Sequence, residues 1–185
     1  AGIRAHVSAM AGCSDDCRGY ADLALTTLEA KSPVLVAVSG LSGSGKSSVA
    51  RQLAPMLGPV PGALILSSDM IRKRQCGVAL SSGHAAILDA TFLQPRHRDA
   101  AQAVARENGV SFAGLCLDAD QATLEKRIRA RHGDASDATV DILRRQLDAP
   151  RGGVAWHRID AAGPLETIVG DCREAVRGQG EAPLP

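Results

Sequence analysis

Aromatic side chains are nearly missing from this chain: two phenylalanines, one tryptophan and one tyrosine make up 2% of 185 residues. That removes the stacking platforms on which single-stranded nucleic acids are held. An excess of one charge is missing too, because 21 basic and 20 acidic residues are interspersed and leave a net charge of +1. Such a balance speaks against a nucleic-acid partner and against an anionic membrane surface. No apolar run approaches the length of a transmembrane span, and the first residues lack the basic region, apolar stretch and cleavage site of a secretory signal. A cytoplasmic protein is the expectation. The five cysteines (Cys13, Cys17, Cys76, Cys116, Cys172) are an odd number without a C-x-x-C pair, which fits reduced thiols. His6, His84, His97, His132 and His157 have no metal-ligand spacing to one another or to cysteine, so no structural metal is expected. Neither a Ser-His-Asp order nor a G-x-S-x-G elbow supports hydrolase chemistry.

What is present begins at Pro33, where a β-branched run, Val34–Ser39, stops and is followed at once by Gly40-Leu41-Ser42-Gly43-Ser44-Gly45-Lys46-Ser47. This is G-x-x-x-x-G-K-[ST], a P-loop. Its glycines let the backbone take positive φ and approach an anion, so N–H groups from Gly40 through Ser48 can turn inward around phosphate oxygens. Lys46 then reaches the β- and γ-phosphates of ATP, and the Ser47 hydroxyl is a ligand for Mg²⁺. Strand before and helix after are what the motif requires: Ser48–Leu57 places Val49, Leu53 and Leu57 at helical spacing. The competing reading is a flexible Gly/Ser turn that happens to carry a lysine.

With 45% apolar residues the chain can bury one core of ordinary domain size. Asp15–Ala30 reads as a helix, broken by Lys31-Ser32-Pro33. Further strands are expected at Ala63–Ser67, Ala85–Asp89, Ser111–Leu117 and Val154–Asp160. Between and after them helices are expected from Ser68-Asp69 to about Arg74, at Pro95–Glu107, Asp120–Arg131 and Asp137–Leu147, and at Pro164–Arg177. Five strands alternating with helices imply an α/β fold, a parallel sheet covered on both faces. Ligands of such sheets sit beyond the carboxyl ends of the strands.

Several residues at those ends could do chemistry. Asp69 directly follows the second strand with Arg72 one helical turn on. There the carboxylate could take a proton from an acceptor hydroxyl and the arginine hold the transferring phosphoryl group; equally, Asp69 is a helix N-cap and Arg72 a solvated side chain. Asp89 ends the third strand in Ile87-Leu88-Asp89-Ala90-Thr91, placed to bind Mg²⁺ as a Walker-B carboxylate does or to cap the next turn. Asp118 has the same look at the fourth strand and ranks below it. Arg127, Arg129 and Arg131 lie where one helix ends and before another starts; they could stabilise a phosphoryl group from a mobile segment or simply complement the helix dipole.

Taken together, Gly40–Ser47, Ser67–Lys73, Ile87–Phe92 and Arg127–Asp137 resemble the P-loop kinases of the polynucleotide kinase, gluconate kinase and zeta-toxin group. The likeness is greatest to bacterial kinases fused behind an aminoglycoside-phosphotransferase-like domain, and it covers about residues 18–178. It implies the P-loop kinase fold with a five-stranded parallel sheet in the order 2-3-1-4-5. It also implies an aspartate acting on the acceptor hydroxyl, here Asp69, and a lid arginine closing over ATP, here Arg127 or Arg131. The loop Asp160–Gly163 would lie near adenine. On this resemblance residues 33–178 form the kinase domain, 179–185 a tail, and 1–32 the end of an upstream domain. One departure bears on the acceptor: that group carries a longer helical segment before the stretch that is Gly83–Asp89 here. The expected function is transfer of the γ-phosphate of Mg·ATP to a hydroxyl of a small acceptor. The alternatives are a noncatalytic ATP-binding module that regulates a fused phosphotransferase, a kinase of nucleic-acid 5′ ends, and a nucleotide-hydrolysing switch.

Overall fold

The structure, a computed structural model, describes residues 3, 4, 7, 10, 14–28, 32–67, 72–130, 139–149, 152, 153 and 155–180. After a helix α1 (Ser14–Leu28), five strands alternate with helices. They are β1 (Val34–Gly40), α2 (Lys46–Leu53), β2 (Leu64–Leu66), α3 (Arg72–Ser81), β3 (Ala86–Asp89), α4 (Pro95–Glu107), β4 (Ser111–Asp118), α5 (Gln121–Arg129), α6 (Val140–Asp148), β5 (His157–Asp160) and α7 (Leu165–Gly180). Every strand pair is parallel and the sheet order is β2-β3-β1-β4-β5. The expected fold and strand order are therefore found.

β1 occupies the middle because its residues can be buried on both faces. Val36 and Val38, with Leu115 and Leu117 of β4, pack against Val49 and Leu53 of α2 and Ile168 and Cys172 of α7. On the opposite face Leu35 and Ala37, with Phe112, pack against Cys76 and Leu80 of α3 and Ala101 and Val104 of α4. This period of two in a strand buried on both sides explains the unbroken apolar run, Val34–Val38, in the sequence. A third, smaller cluster joins Leu41 to Leu124, Ile128 and Leu143, and so packs α5 and α6 over the turn that leaves β1.

Helix starts follow local chemistry. Asp120 accepts from the Thr123 N–H at 2.8 Å at the head of α5, and Thr139 accepts from the Ile142 N–H at the head of α6. Pro95 opens α4 without loss of a helical donor. Several expected boundaries move: α6 starts at Val140 and not Asp137, α7 runs to Gly180, past the expected domain end at 178, and two more shifts have a visible cause. α3 runs on to Ser81 instead of ending near Arg74, because Cys76, Ala79 and Leu80 are buried at helical spacing. β5 starts at His157, whereas Val154 lies outside the described residues. Trp156 leaves the strand line to lie over Gly114 of β4, where a Cβ would come within 2.4 Å of the indole ring. There it meets Phe92 edge-on at 5.1 Å and Phe112 at 5.6 Å, so three of the four aromatic side chains form one contact group. Ser68–Ile71, which include Asp69, and residues 131–138, which include Arg131, lie outside the described residues.

Candidate active site

The site grows from the end of β1. Gly40, Gly43 and Gly45 have φ of 144°, 86° and 90°, a conformation that a side chain strongly disfavours. At Gly40 and Gly43 the space is closed as well. A Cβ at Gly40 would stand 2.7 Å from the Leu117 carbonyl oxygen, and one at Gly43 2.6 Å from that of Leu124. At Gly45 nothing among the described residues lies within 4 Å. The loop is thus pressed against β4 and α5 on its outer side and open on the side that faces the cleft. Gly45 is the N-cap of α2 and supplies no side-chain acceptor to the first turn, so this turn faces the cleft with its positive dipole end. The Ser44 hydroxyl is buried without a hydrogen-bond partner among the described residues.

β3 delivers its last residue to the same place. The Ser47 hydroxyl donates to Asp89 Oδ2 at 2.6 Å, and Asp89 is buried. A hydroxyl and a carboxylate side by side at the mouth of a phosphate-sized cradle are hard oxygen donors of the kind Mg²⁺ takes, together with phosphate oxygens and water. Lys46 folds over the loop and its Nζ donates to the Leu41 carbonyl at 2.9 Å. Asp118, by contrast, is partly exposed and ion-paired with Arg158 on β5. It belongs to a different concavity, with Asp120 and Asp160.

Beside the cradle lies a cavity of about 320 Å³. Gly43, Gly45 and Ser48 line one wall, with Arg127, Gly163 and Leu165 opposite. Arg127 comes from the last turn of α5, and its guanidinium donates to the carbonyls of Ala161 (2.6 Å), Ala162 (3.2 Å) and Gly163 (3.3 Å). It therefore ties α5 to the turn after β5 and forms a wall of the cavity. The two ends of the Asp160–Gly163 turn part company. Gly163 faces the cavity, while the Asp160 carboxylate accepts from the Ala162 N–H at 2.9 Å and lines the other concavity. Arg129, also at this helix end, pairs with Glu125 on the helix surface. Arg72 stands in the first turn of α3, directly after the segment that contains Asp69.

Two residues at the site escaped the sequence reading. Gln146 of α6 accepts from the Ser42 N–H at 2.8 Å. Its only signal is its position one turn after Leu143, shared by any residue on that helix face. Arg98 of α4 is buried and donates to the carbonyls of Phe92 (2.7 Å), Leu93 (3.1 Å) and Gly153 (3.1 Å). It fixes the turn that leaves Asp89, in which Phe92 takes a φ of 47°. In the sequence Arg98 is one of the basic residues of an Arg-His-Arg run, and burial alone sets it apart.

Comparison with known proteins adds to this geometry. An AAA domain family matches residues 74–151. An uncharacterized protein of Mycobacterium tuberculosis (strain H37Rv) is 32% identical over 173 residues, covering 74% of this chain and 33% of that protein. An uncharacterized protein of Mycobacterium bovis matches to the same extent. The chain spans about a third of the length of these curated relatives. Among solved structures, a gluconokinase from Sinorhizobium meliloti superposes with a TM-score of 0.60 at 24% identity, over 82% of this chain and 95% of that one. A sugar kinase from Janibacter gives 0.58 at 20% identity, over 79% and 95%. An APS kinase of M. tuberculosis, solved with AMPPNP and APS, gives 0.57 at 22% identity, over 80% and 99%. The fold is that of the P-loop kinases.

Proposed function

We propose that this chain binds Mg·ATP in the cradle between β1 and α2 and transfers the γ-phosphate to a hydroxyl of a small-molecule acceptor. The observation that carries the proposal is the Ser47–Asp89 hydrogen bond. A Gly/Ser turn with an incidental lysine has no reason to meet the carboxyl end of β3, whereas a nucleotide site needs that hydroxyl and that carboxylate at one metal. Bound there, Mg²⁺ would neutralise phosphate charge, with Ser47 and Asp89 to hold it. Among the described residues, the space left at Gly45, the head of α2 without a side-chain cap and the Ser44 hydroxyl without a partner fit phosphate oxygens. The adjoining cavity of about 320 Å³ has room for the nucleoside, with Arg127 and Gly163 in its walls. The AMPPNP of the APS kinase neighbour supports the choice of an adenine nucleotide.

In this reading Lys46 holds the β- and γ-phosphates. Asp69 orients the acceptor hydroxyl and accepts its proton, while Arg72 and Arg131 supply positive charge to the transferring group. Residues 33–178 are the kinase domain and residues 1–32 the end of an upstream domain, a proposal in keeping with relatives about three times as long. The test is phosphate transfer from Mg·ATP to a panel of sugars, aminoglycosides, nucleosides and nucleic-acid 5′ ends, by wild type and Asp69→Asn. Asparagine keeps the size and the capping ability and removes the base, typically a 10²–10⁴-fold effect. Transfer by wild type, lost in the variant with ATP binding kept, is expected. Full transfer by Asp69→Asn would sink the role of Asp69. Binding of Mg·ATP without transfer to any acceptor would favour the regulatory module instead.

A further inference from the structure

The peptide group between Leu41 and Ser42 is held from both sides. Its carbonyl accepts from Lys46 Nζ at 2.9 Å and from the Ser44 N–H at 3.1 Å, and its N–H donates to Gln146 Oε1 at 2.8 Å. In a planar trans peptide these two groups point in opposite directions, so Gln146 and Lys46 grip one rigid unit from opposite faces. Since the backbone group is a donor, the side-chain amide must present its oxygen, which fixes its orientation. Ser42 is buried, so its N–H would find no easy substitute for that oxygen in bulk water. The helix that carries Gln146 is itself anchored to the same loop, because Leu143, one turn earlier, packs with Leu41.

We propose that Gln146 is a positioning residue for the nucleotide. It holds the Leu41–Ser42 peptide so that the carbonyl faces Lys46, and thereby sets where the ammonium group meets the β- and γ-phosphates. Without that acceptor the N–H side of the peptide is released, its plane can tilt about the Ser44 turn bond, and the carbonyl shifts against Lys46. This inference rests on the reading that the loop takes Mg·ATP. It adds that α6 is coupled to the phosphate end of the loop through this hydrogen bond as well as through Leu143.

Gln146→Met keeps the length and helix preference of the side chain but offers only a weak thioether acceptor. In the full chain it is expected to raise the Kd for Mg·ATP roughly tenfold, the effect of a lost partner for a buried donor. The Ser42 amide proton, followed by NMR, should exchange faster than in wild type. Gln146→Glu keeps an acceptor of the same reach and should keep that exchange slow. The discriminating measurement repeats Gln146→Met in a Lys46→Ala background, with Kd read from NMR titration. A residue that acts through Lys46 has no further effect there, about twofold at most, whereas a merely structural residue gives the same loss in both backgrounds. Equal losses, an unchanged Kd in the single variant, or fast Ser42 exchange in Gln146→Glu would each overturn the proposal. A wild-type protein that binds no Mg·ATP would instead remove the nucleotide reading on which it rests.

Discussion

Gly43 and Gly45 sit two residues apart in the same loop, share a left-handed φ of 86° and 90°, and should respond differently to alanine. Alanine in that conformation costs about 1–2 kcal/mol, and the loss of unfolded-state freedom offsets part of this equally at both positions. At Gly45 that is the whole effect on stability, since none of the described residues lies within 4 Å of the added methyl. At Gly43 the methyl would meet the Leu124 carbonyl oxygen at 2.6 Å and Ile128 Cγ1 at 3.1 Å. Both belong to α5, which the Leu41 cluster and the Arg127 contacts keep in place. Overpacking of this kind adds about 1–3 kcal/mol. Gly43→Ala should therefore melt lower than Gly45→Ala by roughly 2–12 °C, taking about 2–4 °C per kcal/mol for a chain of this size. Function should order the pair the other way: the Gly45 methyl projects into the open cradle, so Gly45→Ala should keep most of its stability and lose nucleotide affinity. Thermal melts by far-UV circular dichroism and calorimetric titration with Mg·ATP measure the two effects. Equal melting temperatures would refute the claim that the loop is closed at Gly43 and open at Gly45.

Arg127→Ala removes three hydrogen bonds from a charged donor, and Arg127→Lys should not restore them because one ammonium cannot span the turn from Ala161 to Gly163. Both variants should bind Mg·ATP more weakly and melt lower in the same calorimetric and thermal experiments. Trp156→Ala is expected to destabilise by about 3–5 kcal/mol, by loss of the ring that covers Gly114 and meets Phe92 and Phe112. Urea unfolding followed by circular dichroism would show it, since the sole tryptophan is lost with the substitution. Burial pushes the Cys76 thiol up to about 11, and burial with the nearby Asp171 carboxylate pushes Cys172 up to about 12. A raised thiol pKa leaves little thiolate at pH 8, so iodoacetamide should spare both in the folded protein and label both in guanidinium chloride, as peptide mass mapping would show.

The parts of the fold legible in the sequence were those with a strong local cause. The run Val34–Val38 had to be a strand buried on both faces, and the helix Pro95–Glu107 was bracketed by proline at its start and Asn108-Gly109 at its end. β5 was read too long because Trp156 is β-prone by type, and only its packing on Gly114 takes it out of the ladder. α3 outruns its expected end because its buried residues, Cys76, Ala79 and Leu80, follow the basic run Arg72-Lys73-Arg74 and make only a short apolar period. In the site, motif spacing pointed to Lys46 and Ser47 and the end of the third strand to Asp89, and the structure brings Ser47 and Asp89 into hydrogen-bond contact. Gln146 and Arg98 act on backbone groups far away in sequence, 104 and up to 55 residues distant. Such contacts leave no local pattern. Asp160 and Gly163 came from the family resemblance, and of the two Gly163 lines the cavity while the Asp160 carboxylate turns to its own loop.

If the cradle and the end of β3 form one metal–nucleotide site, Asp89 is where this can be tested alone. ATP should be titrated into wild type and Asp89→Asn by calorimetry, each in Mg²⁺ and in EDTA. Asparagine fills the same space and can still accept from Ser47, so a structural role would survive the change, whereas a charge that binds a divalent cation is lost. The expected result is a wild-type affinity that rises with Mg²⁺ and a variant that loses most of this rise while its affinity in EDTA stays near wild type. Equal loss in both conditions, or a wild-type protein that binds no ATP in either, would contradict it.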